Sequence, residues 1–486
     1  MKRNTQVKSN NKSYLLVACI ISALILSVYV VSLKSGEFLE DFQSRSEKLK
    51  TYQDIYKRMG GFGSKQNTLL ILANNAEIRT GGGFIGTVGM IETSEGKAET
   101  KPLVGVYSID SGIGCDDKRF SQPSYLQKLS PCPSLRDSSN ALDFTSNARQ
   151  ALYFYQQNTN IPVDNVVQIT PRALELLLDM TGPVYLKDYD MTVTKDNFRN
   201  TVQLEVEQGI DKQLKNDPKS GVLGSLANQL ISKLLVKDVY QLKDYIAILE
   251  QLIDEKQLTI YSKDDKTQAL IRRVNADGSV KSTDGNYFMM AESNFSANKS
   301  SPYIKNKVVM HQTIEKDGTS ILDVEIHSSH ISDYQYSYID PNNNAKAWLI
   351  GENNSRITLV LPKDSQILNT SLSPDEYTTS GDNKTIIEYD RYLRPLSKVS
   401  ETLRYRIPTS YILSDKLIVN TIIQKQLGGW SYDLNYSLTI PNEEYNLVAA
   451  NVDLVTQENQ APWTVHYSGS VDSDKLLSFI YARENN

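Results

Sequence analysis

The richest stretch of potential chemistry is Asn74-Asn75-Ala76-Glu77-Ile78-Arg79-Thr80-Gly81-Gly82-Gly83-Phe84, which directly follows a short apolar run. Three consecutive glycines tolerate positive φ and let a backbone approach a ligand closely. Glu77 and Arg79 stand just before them. Such a loop can cradle a phosphate between backbone N–H groups and an arginine fork, with Asn75, Glu77, Arg79, Gly82 and Gly83 facing the ligand. The same residues also fit a tight turn between two core strands, in which Glu77 and Arg79 pair with each other or with the fold. No Gly-Lys-Ser/Thr follows, so the loop is not a P-loop.

Other constellations are thin. The chain has four histidines and contains neither Gly-x-Ser-x-Gly nor His-Glu-x-x-His. His327 and His330 end a predicted strand and read as solvated residues rather than metal ligands. The acidic loops at Asp116-Asp117 and Asp264-Asp265 lack the spacing of a calcium loop, so no metal site is assigned. A net charge of -5, from 52 basic and 57 acidic residues, argues against a nucleic-acid partner. Cys115 and Cys132 share one loop, where they can close a disulfide in an oxidising compartment or stay free thiols.

These residues need elements to hold them, and 486 residues suffice for two or three domains. Residues 14–33 form an uncharged apolar run, preceded by Lys2, Arg3, Lys8 and Lys12. About 20 such residues span a bilayer as a helix, and the basic flank stays in the cytoplasm. The apolar run continues past Cys19, unlike that of a lipoprotein signal. The expected order is a cytoplasmic tail over 1–13, a transmembrane helix over 14–33 embedded in the lipid bilayer, and a juxtamembrane helix over 37–65. An α/β head follows over 66–300, where apolar runs and helical periods alternate. The spacing predicts strands over 68–74, 84–93, 102–109 and 163–169, and helices over 144–157, 171–180, 197–214 and 223–254. Short strands between turns then predict an all-β, sandwich-like region over 301–486. The expected location is the cell membrane, with a single span and an extracytoplasmic bulk.

The run from Asn67 through Asn75, Glu77 and Arg79 to Gly86 resembles the hallmark of a bacterial family known as domain of unknown function 4012. Further pieces match in order: Leu142-Asp143-Phe144, the strand opening at Val163-Asp164, and Thr181-Gly182-Pro183-Val184. Asn294 with Asn298-Lys299-Ser300, and Gln424-Lys425-Gln426, follow. The family in turn looks similar to the LytR–CpsA–Psr phosphotransferases, which move glycopolymers from a polyprenyl-pyrophosphate carrier. That likeness implies a three-layer α/β head, a carrier-phosphate role near Arg79, a ligand-site position at Asp110 and magnesium as the candidate cofactor, and Asp143 of the Leu142-Asp143-Phe144 element is a further candidate ligand residue. This chain departs from it: Gly82 and Gly83 replace the Ser-Asp pair that helps hold the metal, and the Pro-Arg before the later Asp is missing. Losing those groups removes stabilisation that phosphoryl transfer needs.

Two functions are therefore expected. One is a cell-envelope protein that binds or transfers a polyprenyl-phosphate-linked glycopolymer or cell-wall glycan. The other is a non-enzymatic surface protein whose partners meet the β region. A head core filled by side chains favours the second.

Overall fold

The computed structural model describes residues 42–110, 119–208, 218–234, 242–283, 285–332, 351–372, 376–380, 384–407, 411, 415–440, 445–457 and 463–483. The first helix, α1 (Phe42–Met59), buries Tyr52, Ile55, Tyr56 and Met59 along one face. That spacing is the apolar stripe of a helix lying on a core. The head sheet follows, built from β1 (Gln66–Asn74), β2 (Phe84–Ser94), β3 (Lys97–Thr100), β4 (Val104–Gly105), β5 (Asn165–Ile169) and β8 (Leu258–Ser262). Its strand order is β3-β2-β1-β5-β8, with β4 also on β2. β1 runs parallel to β5 and antiparallel to β2, and β8 is antiparallel to β5.

Both faces of this sheet are covered, so β5 and β8 are buried at every residue. On one face Leu69, Ile71, Val88 and Val166 meet Phe144, Ala148 and Ala151 of α2 (Phe144–Thr159). On the other, Leu70, Val167 and Ile260 meet α1 and a helical layer. That layer comprises α3 (Arg172–Thr181), α4 (Phe198–Gln208), α5 (Pro218–Leu234), α6 (Leu242–Asp254) and α7 (Asp265–Arg273). A small hairpin, β6 (Val184–Leu186) with β7 (Met191–Val193), follows α3.

The remaining strands form two seven-stranded sheets. One holds β10 (Ile304–Ile314), β11 (Ser320–His330), β13 (Gln366–Thr370), β16 (Lys398–Ile407), β18 (Tyr432–Ile440), β20 (Thr456–Gln457) and β21 (Trp463–Val471), ordered β13-β16-β11-β10-β18-β21-β20. The other holds β9 (Asn286–Asn294), β12 (Asn353–Pro362), β14 (Glu376–Ser380), β15 (Lys384–Leu393), β17 (Lys416–Gln424), β19 (Tyr445–Ala450) and β22 (Lys475–Arg483), ordered β14-β15-β12-β9-β17-β22-β19. Buried and half-exposed residues alternate along β10 and β11, the signature of a strand with one face on a core. The inner faces share one core that includes Phe288, Val308, Leu322, Leu359, Leu434 and Phe479.

Several elements differ from expectation for local reasons. The strand expected over 102–109 shortens to β4, because Pro102 cannot donate to a ladder and Val106–Ser108 winds into a 3-10 turn. The Asp264-Asp265 pair opens a helix that the spacing does not predict: Asp264 caps α7, accepting from the Thr267 amide at 2.8 Å. β9 precedes residue 301 yet lies at the centre of a sandwich sheet.

The expected fold class and location need correction. No helix among the described residues is long and apolar enough to cross a membrane. Residues 14–33, where the transmembrane helix was expected, lie outside the described residues. The architecture is thus a mixed α/β head joined to a β-sandwich, with no membrane-spanning element among the described residues. The expected single-pass membrane location has no spanning helix among the described residues to support it.

Leu359 is fully buried between the sandwich sheets. Truncating it to alanine is expected to cost about 2–5 kcal/mol by removing apolar contact and leaving a cavity. Urea unfolding of Leu359→Ala against the wild type measures it.

Candidate functional site

The glycine-rich loop lies at the seam between head and sandwich. Asn74 closes β1 and caps a single 3-10 turn, Asn75–Glu77, by accepting from the Ala76 amide. That turn carries Asn75, Glu77 and Arg79 inward, and each is at most 6% exposed. The Arg79 Nη2 donates to Glu77 Oε1 at 2.7 Å. Its Nη1 donates to the Ile78 carbonyl at 3.2 Å and to the carbonyl of Asn294 at the end of β9. The guanidinium also faces the Phe84 ring at 5.7 Å. Lys299 reaches the second Glu77 oxygen at 3.8 Å. Two cations from different regions thus neutralise one buried carboxylate.

Asn75 is equally engaged. Its Nδ2 donates to the Gly428 carbonyl at 2.9 Å, its Oδ1 accepts from Arg199 at 3.0 Å, and its carbonyl accepts from the Trp430 indole at 3.1 Å. Burial lowers the pKa of Arg199 from its ordinary value, against the opposing pull of Glu175.

The sandwich returns the contact through Gln424-Lys425-Gln426. Gln426 Nε2 donates to the carbonyls of Arg79 at 3.0 Å and Glu292 at 2.7 Å, while its Oε1 accepts from the Glu292 amide. Lys425 Nζ donates to the carbonyls of Glu255 at 2.8 Å and Gly429 at 2.7 Å. Gln424 accepts from Tyr287 and the Lys281 amide and donates to Ser279. The motif is a clasp: one residue holds the loop, one holds the end of α6, and one holds the segment leading into β9.

The glycines serve the same contact. Gly82 and Gly83 have φ of +120° and +135°. A Cβ on Gly83 would meet the Asn74 backbone at 2.7 Å, and one on Gly428 would meet the Gly82 carbonyl at 2.2 Å. Two backbones touch here, and the 428–430 segment lies directly against Asn75 and Gly82.

The other expected positions are structural as well. Asp110 accepts from the amides of Leu135 at 2.9 Å and Arg136 at 3.2 Å, and its side chain is 1% exposed. Burial raises its carboxyl pKa above the ordinary range, with those bonds opposing. Asp143 caps α2 through the Ser146 amide at 3.3 Å, and burial raises its pKa too. Among the described residues no hydrogen bond or ion pair links either aspartate to Glu77 or Arg79. Cys132 is disulfide-bonded, and Cys115 lies outside the described residues. Among the described residues no three or more His, Cys, Asp or Glu side chains come together as a metal-binding group.

The residues not anticipated as parts of this site are Arg199, Gln257, Asn294, Lys299, Gln426 and Trp430. Three of them sit in the motifs quoted above, so sequence order signalled them without revealing the meeting point. Arg199, Gln257 and Trp430 carry no such signal.

Removing one partner of a buried ion pair strands the other. Arg79→Ala is expected to cost about 3–5 kcal/mol, and Glu77→Gln/Arg79→Met to regain part of the loss. Denaturant unfolding of the two variants tests this. Burial lowers the Lys425 pKa to about 8, against the nearby carboxylates of Glu255, Asp472 and Asp474. The unfolded state therefore binds this proton more tightly, so stability rises with pH between about 8 and 10.5. The wild type should gain on the order of 2 kcal/mol over Lys425→Met across that window, read from unfolding curves at each pH.

No curated protein matches the chain. Among solved structures, a Legionella pneumophila protein titled a putative nutrient binding protein is similar at 10% identity. That match covers 40% of this chain and 71% of that one, with a TM-score of 0.25. An M1 zinc metallopeptidase from Deinococcus radiodurans is similar at 13% identity over 37% of this chain and 42% of its own, TM-score 0.22. A Listeria innocua protein is similar at 10% identity over 45% and 82%, TM-score 0.24. The chain thus spans under half of the metallopeptidase it matches, and scores this low carry no argument about fold or activity. Residues 64–206, which hold the loop, β1, β2, β5 and α2, match the model of the family described as protein of unknown function, DUF4012.

Proposed function

We propose that this chain is a non-enzymatic interaction protein, in which head and sandwich are joined into one body that presents surfaces to partners. The observation that carries this reading is the internal engagement of Asn75, Glu77 and Arg79. A carrier phosphate would have to displace Glu77 and the Asn294 carbonyl from Arg79, and a buried charge stripped of its partner is costly. The reading as a protein that binds or transfers a polyprenyl-phosphate-linked glycopolymer needs that displacement.

A surface suited to partners lies on the outer face of the β9 sheet. Ile418 and Leu476 are each 51% exposed, and Val448 is 63% exposed. Cross-strand register sets Ile418 opposite Ile480 and Ile422 opposite Leu476, two aliphatic pairs with Asn420 and Ser478 between them, and Val448 lies at the register break of neighbouring β19. Exposed aliphatic side chains beside polar ones on one sheet face are an arrangement that contact surfaces use.

A ligand that binds only the folded state raises the melting temperature. The chain is expected to melt at the same temperature with and without a polyprenyl pyrophosphate plus magnesium. A rise that grows with pyrophosphate concentration would contradict the reading.

A further inference from the structure

A groove of about 1020 Å³ opens on the far side of the head, between the last turn of α1, the β2–β3 turn and the outward face of α7. Its apolar part is Phe62, Ala269 and Leu270. Phe62 is 49% exposed and packs edge-on against Tyr56, with ring centres 5.7 Å apart. The β2–β3 turn supports it, since a Cβ on Gly96 would meet the Phe62 ring at 2.6 Å.

The charged part is lopsided. Four cations line the groove, Lys57, Arg58, Lys266 and Arg273, against two carboxylates, Asp54 and Glu95. Both carboxylates have internal partners: Asp54 lies 4.0 Å from Lys57, and Glu95 accepts from the Gly63 amide at 3.1 Å. Arg58 pairs with Asp264 at 3.5 Å. Lys266 and Arg273 make no ion pair among the described residues.

The spacing on α7 is informative. Lys266, Ala269, Leu270 and Arg273 fall at i, i+3, i+4 and i+7, one stripe of a helix. The two cations therefore stand about 10 Å apart along the axis, with the apolar pair between them. A second helix bearing carboxylates at i and i+7 and apolar residues at i+3 and i+4 presents the complementary stripe at the same rise.

We propose that this groove docks an acidic amphipathic helix of a partner protein, whose apolar residues sit on Leu270 and Phe62 and whose carboxylates meet Lys266 and Arg273. This is helix-in-groove recognition, with the charge pattern fixing register and partner choice. It rests on the reading of the chain as an interaction protein, but its test is separate from the pyrophosphate measurement, and each can fail alone.

The test is fluorescence anisotropy with a labelled, helix-forming peptide carrying Glu at i and i+7 and Leu at i+3 and i+4, titrated with the full chain. Saturable binding is expected. It should weaken with salt, because exposed charges are screened, and weaken at least about tenfold, or 1.4 kcal/mol, in Lys266→Glu/Arg273→Glu. The same double variant should bind the peptide with its two Glu changed to Lys more tightly than the wild type does. Lys305→Glu, an exposed charge change on β10, should leave binding unchanged. A serine-for-leucine peptide that binds as well would overturn the proposal, because charge alone would then suffice. Absence of saturable binding, or a double variant that keeps wild-type affinity without the reversed preference, would overturn it too. Both altered side chains are exposed, and an unchanged melting temperature confirms that the variant is folded.

Discussion

A buried carboxylate must be neutralised where it lies, and the position of Glu77 imposes that condition on both halves of the molecule. Ionised groups removed from water are stable only with a partner and satisfied hydrogen bonds. Arg79 comes from the same loop, whereas Lys299 comes from the turn after β9. The Arg79 guanidinium in turn needs acceptors, and the Asn294 carbonyl supplies one from the sandwich. Satisfying one head residue therefore fixes where the end of β9 sits.

The surrounding seam extends that logic to neutral groups. Gln257 bonds Asn75, Thr170 and the Gly429 carbonyl, and Gln426 reaches across to Arg79 and Glu292. A network of this kind rigidifies a boundary when each member is satisfied and destabilises it when one is lost. The glycines are needed because the two backbones touch at Gly82 and Gly428. Positive φ at Gly82 and Gly83, first suggestive of phosphate binding, turns a strand end beneath an adjoining loop. A motif rich in Asn, Glu, Arg and Gly can thus be structural, since close backbone packing and phosphate binding require the same residue types.

Much of the fold was legible in the sequence where the pattern was local. The apolar run after Gln66, the helix starting at Phe144 behind Asp143, and the alternating strands from Val308 onward all carry their own period. β9 was not legible, because it is buried on both faces and so shows no alternation. α7 is nine residues long with charges on every exposed turn, too short to announce itself. The candidate site was legible as a set of motifs but not as a meeting place. Gln426 and Arg79 are 347 residues apart, and nothing local to either names the other. The sequence left open whether Glu77 and Arg79 pair internally, and their burial decides it.

The central claim, that the 78–83 loop is a buried joint, is tested most directly by native-state amide hydrogen exchange. The Ile78 amide donates to Ser301 Oγ, the Gly81 amide to the Ser139 carbonyl at 2.8 Å, and the Gly82 amide to the Arg79 carbonyl at 2.9 Å. The account predicts that these three amides exchange as slowly as those of the central strands β1 and β5, because opening the joint requires parting head from sandwich. Exchange within seconds, while β1 and β5 stay protected, would show a loop that opens by itself to solvent and would contradict it.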